Sequence, residues 1–189
     1  MLILGLCQEW YIPLFLPRYI AALGLTYALD GRVDAGLTLV EQGMEQAVAR
    51  GRPRGLALVV TWLSEAYLLA GRLEAARQRA AQAVDLAHQH QQRGTQAWAL
   101  WLLGESTARQ ASPEVESATG HYRQALALAT ALGMRPLQAH CYRSLGTLYV
   151  GQGQRQQART ALSAAINLYR AMDMTFWLPE AETALAKVA

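Results

Sequence analysis

Two tryptophans three residues apart, Trp98 and Trp101, lie just ahead of a carboxylate, Glu105; forty-two residues further on, His140 and Arg143 repeat the same spacing and are followed by Thr147. Indole rings and arginine bury large areas and dominate the energetics of measured protein interfaces, so this set reads as a recognition surface. The competing reading is that the two indoles fill wide gaps between helices, since large aromatics are commonly core. Other chemistry-bearing residues do not converge. His88 and His90 are two apart, which on a helix sends them to opposite sides, and no cysteine or paired carboxylate joins them as a metal ligand. Gly151-Gln152-Gly153 lacks the lysine and hydroxyl residue that grip phosphate and magnesium. Arg50, Arg52 and Arg54 read as a solvated basic turn. Glu114 with Glu116 and Glu180 with Glu182 stand at helix starts, where the helix dipole accounts for them without acid-base catalysis. No nucleophile, base or metal set emerges, so the expectation is a protein that is not an enzyme and carries no cofactor or metal.

The elements that must position these residues are legible as a repeat of about forty residues. Leu23-Gly24 with Tyr27 and Gly31 recurs as Leu63-Ser64 with Tyr67 and Gly71, as Leu103-Gly104, and as Leu145-Gly146 with Tyr149 and Gly153; a partial copy begins at Leu185-Ala186. Within each copy the apolar and small residues fall at i, i+3, i+4 and i+7, the face of an amphipathic helix. A second helix follows a Gly-Arg or Gly-Gln turn and repeats Ala76, Ala80, Ala83, then Ala118, Tyr122, Ala125, then Ala158, Leu162, Ala165. The small residues let the two helices of a pair approach closely. Gly51, Gly94 and Gly133 are expected as left-handed caps, with Pro53 and Pro136 near the next helix start. Ser112-Pro113-Glu114 reads as a cap and first turn. Gly36 and Gly43 fall within a helix where alanine is expected, which predicts that the first pair is the softest.

A two-helix unit cannot bury its apolar face alone, and stacked neighbours must supply the core. The fold class is therefore all-α: a right-handed α-solenoid of antiparallel helix pairs, similar in its Leu-Gly-x-x-Tyr, Gly and Ala spacing to the tetratricopeptide repeat. The predicted divisions are 1–12, a remnant of a preceding helix; 13–51, 52–93, 94–133 and 134–173, four repeats; and 174–189, a capping helix. Trp10, Tyr11 and Phe15 are expected to be apolar surface left by a missing neighbour, and Phe176 with Trp177 to staple the capping helix onto its predecessor. A second stripe on each first helix faces the concave groove of this architecture: Arg18, Ala21, Leu25; Leu58, Thr61, Glu65; Trp98, Trp101, Glu105; His140, Arg143, Thr147.

Composition narrows the partners. The chain is 52% hydrophobic and 16% charged, a globular balance. Its 17 basic and 14 acidic residues are scattered and give a net charge of +3, with no basic stripe to meet nucleic acid. Cys7 and Cys141 are far apart, which argues against a disulfide framework and for a reducing, cytoplasmic setting. The apolar start MLILGLC is too short for a signal peptide or a membrane span.

Several longer phrases carry a family resemblance: QEWYIPLFLPRY (8–19), SEAYLLAGRLEAA (64–76), QAWALWLLGE (96–105), HYRQALALA (121–129), LGMRPLQAHCYRSLGTLY (132–149) and MDMTFWLPEAETALA (172–186). Together they resemble the C-terminal tetratricopeptide region of large bacterial signalling proteins of the adenylate or guanylate cyclase type, in which a class III cyclase domain and an AAA-type ATPase precede the repeats. The resemblance implies a regulatory or scaffolding segment of a longer polypeptide, with any cyclase or ATPase activity upstream; Ser64 and Thr107 depart from the repeat consensus, which has Gly and Tyr there. The function expected is protein-protein interaction through the concave groove. The alternative is a sensor that binds a peptide or small effector and changes curvature.

Overall fold

The computed structural model describes residues 15–51, 53–111 and 114–188. The expectations for residues 1–12, Pro13, Arg52, Ser112 and Pro113 lie outside the described residues. Among those described, the protein is all-helical, with no strand: α1 (Leu16–Leu29), α2 (Val33–Ala49), α3 (Pro53–Leu69), α4 (Leu73–Gln89), α5 (Arg93–Ala108), α6 (Val115–Ala131), α7 (Arg135–Gly151), α8 (Arg155–Ala171), a 3-10 turn (Thr175–Trp177) and α9 (Leu178–Ala186). No helix among them is long and apolar enough to cross a membrane.

Six of the helices end in the same way. After α1, the Arg32 N–H donates to the Tyr27 carbonyl at 2.9 Å and the Gly31 N–H to that of Ala28 at 3.2 Å. This double bond is the Schellman motif, which satisfies carbonyls left over at a helix end and requires a left-handed residue between the two donors. Gly31, Gly71, Gly133 and Gly153 take that place at φ 86°, 71°, 66° and 71°, and the same bonds close α4 and α8 with Gln91 (φ 55°) and Asp173 (φ 54°) in it. Gly94 therefore does not cap α4: it lies in the first turn of α5, and Gln91 adopts the left-handed conformation instead. Gly51, at φ 61°, is left-handed after α2.

Consecutive helices pack on one another, and the tightest approach is made by small residues. A Cβ on Gly24 would meet the Gly36 carbonyl at 2.6 Å, one on Gly36 the Gly24 carbonyl at 2.5 Å, and one on Gly43 the Pro17 carbonyl at 2.7 Å. The glycines of α2 are thus the reason α1 and α2 interlock backbone to backbone, and not simply a propensity cost that softens the first pair. In the second pair Ser64 replaces glycine and remains wholly buried because its hydroxyl donates to the Ala76 carbonyl at 2.8 Å. In the third pair Gly104 leaves room for the Tyr122 ring, whose nearest atom would stand 2.5 Å from a Cβ there. Fully buried alanines at 76, 80, 83 and 87, at 118, 125 and 129, and at 158 and 165 line the second helices.

Each odd-numbered helix also touches the next odd-numbered one, whereas no even-numbered helix approaches another within the described residues. Helices that crowd on one side and splay on the other make a curved stack. Its inner face is formed by α1, α3, α5, α7 and α9.

Candidate functional site

Five aromatic rings gather on the inner side of α5, α7, α8 and the 3-10 turn. The His140 imidazole lies 5.7 Å from Trp98, 5.2 Å from Trp101, 5.6 Å from Tyr169 and 4.8 Å from Trp177, centroid to centroid. Trp98 meets Trp101 edge-on at 5.6 Å. Tilted and edge-to-face contacts suit rings whose faces are electron-rich and edges electron-poor. His140 Nδ1 is 2.9 Å from the Tyr169 hydroxyl. Burial, reinforced by the neighbouring Arg143 guanidinium, lowers the imidazole to about 4, so it is neutral at physiological pH. Trp101 and His140 are buried, while Trp98 and Trp177 are half-buried.

Below the rings lies a polar network centred on Glu105. Its carboxylate accepts from Ser144 at 2.5 Å, from Tyr122 at 2.8 Å and from Arg109 at 2.5 Å, and Arg143 stands 3.8 Å away. Ser144 in turn accepts the Trp101 indole N–H at 3.1 Å. Arg143 also pairs with Glu180 of α9 and lies 5.5 Å from the Trp177 ring. Burial pushes the Glu105 carboxyl up, but Arg109 and Arg143, aided by the Ser144 and Tyr122 hydrogen bonds, outweigh it and hold Glu105 below its ordinary range. The Tyr122 hydroxyl is raised by burial and by Glu105, and Cys141 beside the network is pushed up to about 12 by burial and Glu105, a thiol rather than a thiolate at neutral pH. A recess of about 410 Å³ opens between α5, α6, α7 and α9, floored by Glu105 and Tyr122 and walled by Arg109, Arg143, Thr147 and Glu180.

The structure thus joins Trp98, Trp101, Glu105, His140 and Arg143 in one contiguous cluster, with Thr147 at its edge. Trp101, Glu105, His140 and Arg143 are each only 4% exposed, so they form the base of the inner face and not its open surface. Thr147 is exposed, its hydroxyl turned back onto the Arg143 carbonyl. On α3, Leu58 is half-buried and Thr61 buried with its hydroxyl on the Ala57 carbonyl. Arg18 is exposed on α1, and neither it nor Leu58 has a hydrogen bond, ion pair or ring contact with the cluster. Glu65 is half-buried; burial and the like charge of Glu105 raise its carboxyl to about 7.

Sequence reasoning missed Tyr122, Ser144, Tyr169, Trp177 and Glu180 as members. Tyr122 carried one signal, a phenol where the neighbouring repeats have Ala80 and Leu162. Glu180, assigned to the helix dipole, bonds Arg143, and Glu182 bonds Arg170 at 2.6 Å. Of the two residues expected to staple α9, Trp177 packs on His140 while Phe176 remains 71% exposed. Among the described residues no three His, Cys, Asp or Glu side chains gather as a metal-binding group.

No protein-family model matches the chain, and the search of curated proteins gives no match. Among solved structures it is similar to the crystal structure of BtubC (BKLC) from P. vanneervenii, with a TM-score of 0.68 and 17% identity over 97% of this chain and 83% of that one. At that identity the likeness is one of fold.

Proposed function

We propose that the chain is a non-enzymatic, right-handed tetratricopeptide-type array that holds a partner segment or neighbouring domain along its inner face. The observation that carries this reading is the construction of that face: half-buried Trp98 and Trp177 stand on a base locked by buried hydrogen bonds. Rigid aromatic anchors with a pre-ordered base suit binding, because little side-chain entropy is lost when a partner arrives. The resemblance to the repeat region of bacterial cyclase-type signalling proteins supplies the proposed setting, a cytoplasmic regulatory or scaffolding role.

The test is pull-down by the chain from the cytosol of its own organism, with photocrosslinkers placed beside Trp98. Trp98→Ala and Trp177→Ala are expected to abolish capture of one recurrent protein while Phe176→Ala leaves it intact. Capture indifferent to both tryptophans would remove the inner face from the proposal. The second reading, a sensor of a small effector, is favoured by the 410 Å³ recess beside Arg109 and Thr147, a size within the range of small-ligand pockets. A metabolite whose heat of binding disappears on Arg109→Ala would support it over the first.

A further inference from the structure

Glu65 and Glu105 occupy the same position in successive repeats, forty residues apart on the inner stripe of α3 and α5. Glu105 is satisfied by four side chains: Arg109 one turn along its own helix, Tyr122 from α6, and Arg143 and Ser144 from α7. The positions that correspond around Glu65 are Leu69, Ala80, Trp101 and Leu102. None offers a donor to it: three are aliphatic, and the Trp101 N–H is committed to Ser144. Among the described residues, no hydrogen bond or ion pair reaches the Glu65 carboxylate, and the charge coupled to it is that of Glu105, of its own sign. Glu65 is also half-buried on α3, so its carboxylate keeps access to solvent.

We propose that Glu65 is the socket for a basic side chain, arginine or lysine, of the protein segment bound on the inner face. This rests on the reading of that face as a protein-binding trough. In the third repeat the guanidinium that answers the carboxylate comes from the next helix, as Arg143; in the second that place is taken by Trp101, and the guanidinium comes from the partner. Ionising a half-buried carboxylate beside a like charge is unfavourable without a cation, and an incoming arginine supplies two parallel N–H donors as well as charge. A metal ion is the poorer fit, because hard cations need six or more oxygen ligands and Glu105 is already engaged.

The experiment selects random twelve-residue peptides on the full chain at pH 8, then measures their affinities for wild type, Glu65→Gln, Glu65→Asp and Trp98→Ala. The expected result is enrichment of a basic residue at one fixed position, a loss of tenfold or more on Glu65→Gln with partial retention by Glu65→Asp, and loss of all affinity on Trp98→Ala. Peptides that need Trp98 but bind Glu65→Gln as tightly as wild type would overturn the socket and leave the trough standing. If no peptide depends on Trp98, the trough reading fails. The socket is then decided by titrating N-acetyl-arginine methylamide while following the Glu65 carboxyl carbon by NMR, an unmoved resonance at millimolar ligand ending the proposal. Circular dichroism of each variant confirms that it is folded.

Discussion

The indole N–H of Trp101 donates to the hydroxyl of Ser144 across 3.1 Å, and the same hydroxyl donates onward to Glu105 at 2.5 Å. One buried oxygen therefore links α5 to α7 twice, accepting from one side chain and donating to another. Ser144→Ala leaves the indole donor without its partner and removes one donor from a buried carboxylate, at an expected cost of about 1–3 kcal/mol. Urea denaturation measures it, and a cost below about 0.5 kcal/mol would show that the link carries no stability.

Removing the carboxylate itself has a larger expected effect. Glu105→Ala uncouples Arg143 from α5 and strips Tyr122 and Arg109 of their acceptor, and breaking a buried pair on one side typically costs about 3–5 kcal/mol. The remaining ion pair to Glu180 moderates the loss, so Glu105→Ala with Glu180→Ala should fall further than the two single changes added. Additive losses would deny that the three groups act as one network.

Two groups give opposing pH dependences. Glu65 is raised to about 7 from 4.5, so between those values the native state holds a proton that the unfolded chain has released, and stability declines as pH climbs through that window. His140 is lowered to about 4 from 6.5, so between 6.5 and 4 the unfolded chain binds a proton the native state refuses, and stability declines as pH falls. Glu65→Gln removes the first contribution alone. It should be more stable than wild type at pH 8, by up to about 3 kcal/mol, and should lose stability more steeply between pH 6.5 and 4.5. Equal denaturation midpoints for the two proteins from pH 5 to pH 8 would contradict the assignment.

Glycines divide by their surroundings. A Cβ at Gly36 would stand 2.5 Å from a backbone oxygen, and Gly36→Ala should cost about 1–3 kcal/mol by forcing α1 and α2 apart. Gly120, in the interior of α6, has nothing within 4 Å of that position, and Gly120→Ala should gain up to about 1 kcal/mol from helix propensity. Thermal melts of the two variants should move in opposite directions.

Gln91 holds the left-handed position that glycine holds after α3, α6 and α7. Relieving the clash of its Cβ with the following carbonyl should make Gln91→Gly more stable by about 1 kcal/mol, visible as a raised melting temperature. A lowered one would show that the glutamine side chain contributes more than its backbone strain costs.

The helical architecture was legible because each helix writes its own period into the sequence and each Schellman turn demands a left-handed residue at a fixed place. Gly94 misled because that place can be filled without glycine, as Gln91 shows. Gly36 and Gly43 misled in another way: propensity judges a residue within its own helix, whereas their value lies in the facing backbone of α1. The same limit hid the network. Trp101, Glu105, His140 and Arg143 were placed on the inner stripe by periodicity, but periodicity records which side of a helix a residue takes and not how deeply the next helix covers it. Ser144 and Tyr122 sit on other stripes of their helices and meet Glu105 only through packing between elements.

Among the described residues, side-chain hydrogen bonds and ion pairs join inner-face helices only from α5 to α7 and from α7 to α9; α3 meets α1 and α5 without one, and the charges coupled across its joint with α5, Glu65 and Glu105, are alike. Springs in series stretch where stiffness is least, and oriented polar bonds resist sliding better than interdigitated hydrocarbon. A load applied to the two ends of the stack would accordingly be taken up at the two joints that α3 makes, with α1 and with α5, and anything anchored both at Glu65 and at Trp177 would act as a splint across the second.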